Sequence, residues 1–344
     1  MQEILGRAAD TSGRPSGVPG ALGVSRPACP VQGRSGGFPI SDGGARAGRE
    51  PYAVRVVRTV RGRRRAAPLV LTLALVAVSV GCADGAGGTG GAGGAGDPDR
   101  WSPEAGPTVP SWQIVLAAEP GAELAELDGV DVYDLDGADT APDRVAALAA
   151  TGAHTICYVN AGAWEDWRDD ADEFPTEVIG AAYPGWDGER FLDIRRLEVL
   201  APLMEARLDG CAAAGFDAVD PDNIDSYDTA TGFDLTRADA VAYALWWASA
   251  AHERGLAVGQ KNAPDLTEDL VGEFDFAVTE DCAADGWCAD VSGYLDAGRP
   301  VFAIEYTDRT DTDAFHGYCS DPALAGFSLV LKNRDLDEWR AGCP

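Results

Sequence analysis

Lysine is almost missing from this 344-residue chain, which carries only Lys261 and Lys332. Histidine is nearly as scarce: His154, His252 and His316 are not placed for a serine triad, and no Gly-x-Ser-x-Gly elbow is present from Trp112 onward. No Gly-x-Gly-x-x-Gly follows a strand-like run, which argues against a dinucleotide fold. No histidine adjoins a cysteine cluster, so neither zinc nor any other metal or cofactor is expected. Basic charge is confined largely to the N-terminal part. Residues 1–82 hold 12 Lys+Arg and 4 Asp+Glu, leaving 15 basic against 52 acidic groups in the remainder, a net of −37. That balance excludes nucleic acid as a partner, because phosphate binding needs a basic patch. It would concentrate a cationic substrate, and it is equally the composition of a chain made acidic for solubility.

A long hydrophobic run is also lacking. Ala66 to Gly81 is apolar apart from Pro68, Thr72 and Ser79, and is too short for a membrane-spanning helix. It follows the basic Arg61-Gly-Arg-Arg-Arg65 and precedes Cys82, the arrangement of a secretory signal. The Gly81-Cys82 junction resembles a bacterial lipoprotein cleavage site, with Cys82 lipidated and anchoring the chain to a membrane. Ser79 stands where an aliphatic residue is usual, which keeps ordinary signal cleavage as an alternative. The expected organisation is an upstream extension over 1–53 outside the working protein, a signal over 54–82, a Gly-rich tether over 83–110 and one catalytic-sized domain over 111–344, monomeric.

Export permits disulfides. Setting aside Cys29 and Cys82 leaves six cysteines and 15 connectivities. Cys282 with Cys288 and Cys319 with Cys343 are the suggested pairs; Cys157 is either a buried thiol or the partner of Cys211.

Nine short apolar runs recur from Trp112: 112–116, 130–135, 155–159, 190–194, 218–220, 257–261, 276–279, 301–306 and 327–331. Helix-like segments over 141–151, 197–214, 237–254 and 265–273 separate them, and Gly152, Gly215 and Gly255 stand where helix C-caps do. Alternation of this kind predicts an α/β fold with a parallel sheet, and the repeat number fits a (β/α)8 barrel with one run too many. A barrel demands polar residues at its strand C-termini. They are there: Asp134 and Asp136, Tyr158, Asp193, Asp220 with Asp222, Asn223 and Asp225, Lys261 with Asn262, Glu280, and Glu305 with Tyr306. Asp222 and Glu280 end strands two apart, so their carboxyls would converge over the mouth as the pair that glycoside hydrolysis requires. Trp164, Trp167, Tyr183, Trp186, Tyr227 and Tyr306 could stack on sugar rings or serve as core. A calcium loop at Asp220–Asp225 fails the EF-hand pattern at Ile224 and Asp225.

These residues resemble the endo-α-1,4-polygalactosaminidases of glycoside hydrolase family 114. The matching stretches are Tyr133–Asp136, Ile156-Cys-Tyr158 with Ala161-Gly162, Trp164–Arg168, Gly185-Trp186 through Arg190, Leu192–Arg195, Pro221–Asn223 with Asp225, Lys261-Asn262, and Glu280 with Cys282. The resemblance implies a barrel that hydrolyses α-1,4-linked galactosamine-rich polysaccharide, with Asp222 as nucleophile and Glu280 as general acid/base. Asp134, Asp136, Tyr158, Trp164, Asp193, Asp220, Asn223, Asp225, Tyr227, Lys261, Asn262, Glu305 and Tyr306 are then the candidate substrate contacts. Asp220 replaces a frequent Glu and Thr279 a common Asn, which bears on substrate preference. Two readings compete: a non-catalytic lipoprotein that binds cationic glycan, and a glycosidase of the same fold acting on another glycan.

Overall fold

The computed structural model describes residues 100–106, 108–117 and 129–344, all within a unit spanning Ala86–Pro344. The upstream extension, the signal, Cys82 and residues 83–99 of the tether lie outside the described residues. Eight parallel strands build the barrel: β1 (Trp112–Val115), β2 (Val132–Asp136), β3 (His154–Asn160), then β7 (Ala218–Asp222), β8 (Ala257–Lys261), β9 (Phe276–Glu280), β10 (Val301–Tyr306) and β11 (Phe327–Lys332). A short β12 (Arg340–Gly342) adds antiparallel to β11. Helices α1 (Pro142–Thr151), α2 (Leu197–Ala214), α3 (Arg237–His252), α4 (Thr267–Leu270), α5 (Cys282–Asp285), α6 (Gly293–Asp296) and α7 (Thr312–Cys319) lie between the strands. Gly152 and Gly215 cap α1 and α2 in the left-handed conformation, at φ 92° and 90°. A Thr236–Asp239 capping box starts α3. The segment read as a helix over 265–273 holds only the four residues of α4 after a 3-10 turn.

The surplus run is identified. Residues 190–194 do not enter the barrel. Their strand, β6 (Glu189–Leu192), pairs antiparallel with β4 (Ala163–Glu165) and β5 (Ile179–Ala182) in a separate three-stranded sheet between β3 and β7. This excursion leaves and rejoins the barrel at one point, where Leu192 N–H donates to the Gly162 carbonyl at 2.9 Å.

Alternation along each strand divides the side chains between two cores. Trp112, Ile114, Val132, Ile156, Ala218, Phe276, Val278, Phe302, Ile304 and Val330 fill the barrel, whereas Leu135, Cys157, Val219, Val258, Ala303 and Leu331 face the helices. The inward series turns polar toward the C-terminal rim, through Asp134 and Asp220 and then Asp136, Tyr158, Asp222, Lys261 and Glu280. The seam between β1 and β11 is closed by side chains. Trp112 Nε1 donates to the Ser328 carbonyl at 2.7 Å, and Lys332 Nζ donates to Gln113 Oε1 at 2.9 Å and to the Asp337 carbonyl at 2.6 Å. Burial lowers the Lys332 pKa to about 8. Both lysines of the chain are therefore interior.

Three disulfides form, Cys157–Cys211, Cys282–Cys288 and Cys319–Cys343, as in an exported protein. The first resolves the alternative for Cys157 and ties β3 to α2. No helix among the described residues is long and apolar enough to cross a membrane.

Candidate active site

Strands β7, β8 and β9 end in the same way. The last residue of each turns inward, as Asp222, Lys261 and Glu280, and the next residue adopts a left-handed backbone: Asn223 at φ 65°, Asn262 at 46° and Asp281 at 54°. Asn and Asp tolerate this region better than other non-glycine residues, and such strain concentrates at functional sites. Gly162 allows a close approach at the first of these turns, since a Cβ there would lie 1.9 Å from the Asn223 carbonyl oxygen.

Lys261 is fully buried between the two candidate carboxylates. Its Nζ lies 3.0 Å from Asp222 Oδ1, 3.5 Å from Glu280 Oε2 and 3.8 Å from Asp220 Oδ2. Burial alone would lower its pKa, but Asp222, Glu280 and Asp220 outweigh burial and hold it well above the usual lysine value. Asp222 also accepts from Tyr158 OH at 2.8 Å and from Asn223 N–H at 2.9 Å. Glu280 accepts from Asn262 Nδ2 at 2.9 Å and from Tyr306 OH. Burial pushes the Glu280 pKa up, yet the Lys261 charge and the Tyr306 and Asn262 hydrogen bonds prevail and lower it.

Above this group opens a cleft of about 340 Å³. The excursion forms one wall with Glu165, Trp167, Arg168, Tyr183, Trp186 and Glu189. Arg168 grips Asp136 and Glu165 through two hydrogen bonds each. Asn160 donates to Glu189 at 3.2 Å and accepts from Asn223 at 2.9 Å, and Tyr183 OH donates to Asn223 Oδ1. Burial first, then Glu165, raises the Glu189 pKa to about 7; burial first, then Asp222, does the same at Asp225. Arg334 stacks over the Tyr306 ring at 3.7 Å on the opposite side.

Of the candidate contacts, Asp136, Tyr158, Asn223, Asp225, Lys261, Asn262 and Tyr306 join Asp222 and Glu280 at the cleft. Six do not line it. Glu305 alternates outward from Ile304 and Tyr306, and accepts from the Ala283 and Ala284 N–H groups at the start of α5. Asp193 follows β6 rather than a barrel strand and is locked bidentately to Arg195. Trp164 packs on the outer core with its indole N–H on the Ala171 carbonyl, and Tyr227 turns away to Asp265. Asp134 and Asp220 lie beneath the cleft at 0% exposure, beyond a substrate's reach. Glu165, Arg168, Glu189 and Arg334 were not foreseen as site residues. Glu165, Arg168 and Glu189 lie inside the family-like stretches, but only the excursion's fold brings them to the mouth.

The sequence profile of glycoside hydrolase family GH114 matches residues 92–344. The chain belongs to this family. Among solved structures, Ega3 of Aspergillus fumigatus, in complex with galactosamine, shares 32% identity, covering 73% of this chain and 100% of that one, with a TM-score of 0.67. The glycoside hydrolase domain of PelA from Pseudomonas aeruginosa has the same fold at 18% identity, with coverage of 68% and 98% and a TM-score of 0.55. A search of curated proteins gave no match. As a GH114 member, the chain is a glycosidase built on a TIM barrel.

Proposed function

We propose that this enzyme cleaves α-1,4-linked galactosamine-containing polysaccharide, with Asp222 and Glu280 as the reacting carboxylates. The observation that carries the assignment is the placement of these two groups on either side of one buried ammonium at the floor of the cleft. Acidic walls suit an ammonium-bearing polymer, whose sugars would meet Glu189, Asp225 and Asp136. The galactosamine bound by the related Ega3 supports the same substrate class.

Asp222 Oδ1 and Glu280 Oε2 are no farther apart than their distances to Lys261 added together, 3.0 and 3.5 Å. That favours the short separation of retaining enzymes over the roughly 6.5–9.5 Å of inverting ones. Asp222 then attacks the anomeric carbon and forms an ester. The glycosidic C–O bond breaks, and Glu280 gives its proton to the leaving oxygen. Negative charge passes from Asp222 to Glu280, with Lys261 beside both throughout. Water, deprotonated by Glu280, attacks the anomeric carbon, the ester C–O bond breaks, and Asp222 leaves as a carboxylate. The lowered pKa of Glu280 in the free enzyme requires glycan to supply the upward push by covering the mouth, since burial is the strongest influence on this group.

Incubation with partly deacetylated galactosaminan, followed by mass spectrometry, should show oligosaccharide products. Asp222→Asn and Glu280→Gln should each lower kcat by about 10²–10⁴-fold with the fold intact by circular dichroism. Polymer retained without any product from wild-type protein would instead mark a binding lipoprotein. We further propose that Cys82 carries a lipid: fatty-acid label should enter the wild-type chain and be absent from Cys82→Ala, and equal labelling would exclude that anchor.

A further inference from the structure

Asp134 on β2 and Asp220 on β7 are both fully buried in the barrel, one level below the catalytic pair. Among the described residues, no N–H or O–H donor reaches any of their four carboxyl oxygens. β2 and β7 flank β3, both side chains point into the same interior, and each influences the other's pKa through a hydrogen bond. Two carboxylates cannot bond without a donor, so a bond between them requires that one carry a proton. Desolvation gives the same answer, because two adjacent charges in a dry interior repel one another strongly.

Among the described residues, one cation acts on both groups. Lys261 on β8 faces Asp220, and the other charged neighbours are Asp222 and Glu280. Tyr158 and Tyr306 add only phenols, both with pKa values raised above the usual range, chiefly by burial. Lys332 is engaged at the seam with Gln113. Without the shared proton, four carboxylates would compete for a single ammonium.

We propose that Asp134 and Asp220 form a proton-sharing carboxyl pair that keeps Lys261 directed at Asp222 and Glu280. Both are positioning residues and touch no substrate. With the proton on Asp134 and shared with Asp220, the charge of Asp220 is partly engaged and Lys261 stays at the longer 3.8 Å separation. Loss of that proton makes Asp220 a full competitor and draws the ammonium down, away from the charge that moves between the catalytic carboxylates. The pair thereby sets an alkaline limit on turnover. Burial, the largest influence on both, raises Asp220 to about 7 and Asp134 well above the usual carboxylate value. Their mutual hydrogen bond raises Asp134 and lowers Asp220, so Asp134 holds the shared proton and the limit lies where Asp134 loses it.

The activity arm of the test rests on the proposed glycosidase function; the spectroscopic arm does not. Infrared difference spectra of wild type against Asp134→Asn should show a protonated-carboxyl band that the variant lacks, because an Asn amide bonds Asp220 without a titrating proton. In wild type, kcat on galactosaminan should fall about tenfold per pH unit above the pair's titration, whereas in Asp134→Asn it should fall no more than about threefold over the same range. Asp220→Asn provides a second variant: its alkaline limb should also vanish, while its remaining carboxyl keeps its band at every pH. A band identical in wild type and Asp134→Asn, or an alkaline limb unmoved in both variants, overturns the proposal. Absence of activity together with the expected band would count against the glycosidase reading alone.

Discussion

Removing the ammonium between Asp222 and Glu280 tests how much of the site depends on one side chain. Lys261→Met keeps most of the volume and leaves buried carboxylates without a counter-charge, a loss of roughly 3–5 kcal/mol in comparable buried pairs. Chemical denaturation should register it as a lower midpoint, with kcat reduced at every pH. A midpoint equal to wild type would mean that the hydroxyl and amide donors already neutralise the pair. At this scale the sequence was legible where an inward polar residue ends its strand. Asp222, Lys261 and Glu280 are such cases. It misled one position before a strand's end: Glu305 was read together with Tyr306, although a strand sends neighbours to opposite faces, and only Tyr306 reaches the cleft.

Three adjacent strands share one ending, an inward functional residue followed by a left-handed turn. The turn directs Asn223 N–H onto Asp222 and Asn262 onto Glu280, so local backbone conformation positions the chemistry. Gly162→Ala would press a methyl into the Asn223 carbonyl, which sits on backbone and has little room to yield. We expect a lower melting temperature and a fall in kcat larger than the rise in KM; unaltered kinetics would show that the Asn223 turn can shift freely. Repeating strand–helix units were readable from apolar runs and glycine caps. The excursion was not, because β6 has the same apolar signature as a barrel strand and only its antiparallel partners distinguish it.

Across the whole molecule, acidity shapes the response to pH. Glu189, Asp220, Asp225 and Glu305 are each raised to about 7, with burial the first cause. Such groups bind protons more tightly folded than unfolded, so their stabilisation is complete below the usual carboxylate pKa and is lost as pH rises toward 7. Glu280 and Asp170, both lowered by their cationic partners against the pull of burial, act in reverse and lose their contribution on acidification. Melting temperature should therefore peak at about pH 4–6 and decline by pH 8, as calorimetry across that range will show; a maximum above pH 8 would contradict these assignments. The sequence displayed the net charge but not which carboxyls are dry, since that depends on barrel closure.

The excursion also has a bearing on descent and redesign. Its two ends meet at the Gly162–Leu192 hydrogen bond, so the barrel perceives the intervening segment much as it would a short turn. Glu165, Trp167, Arg168, Tyr183, Trp186 and Glu189 travel together on that segment, whereas Asp222, Lys261 and Glu280 stay behind on the strands. A lineage could thus exchange its glycan preference as a single cassette and inherit the bond-breaking apparatus intact.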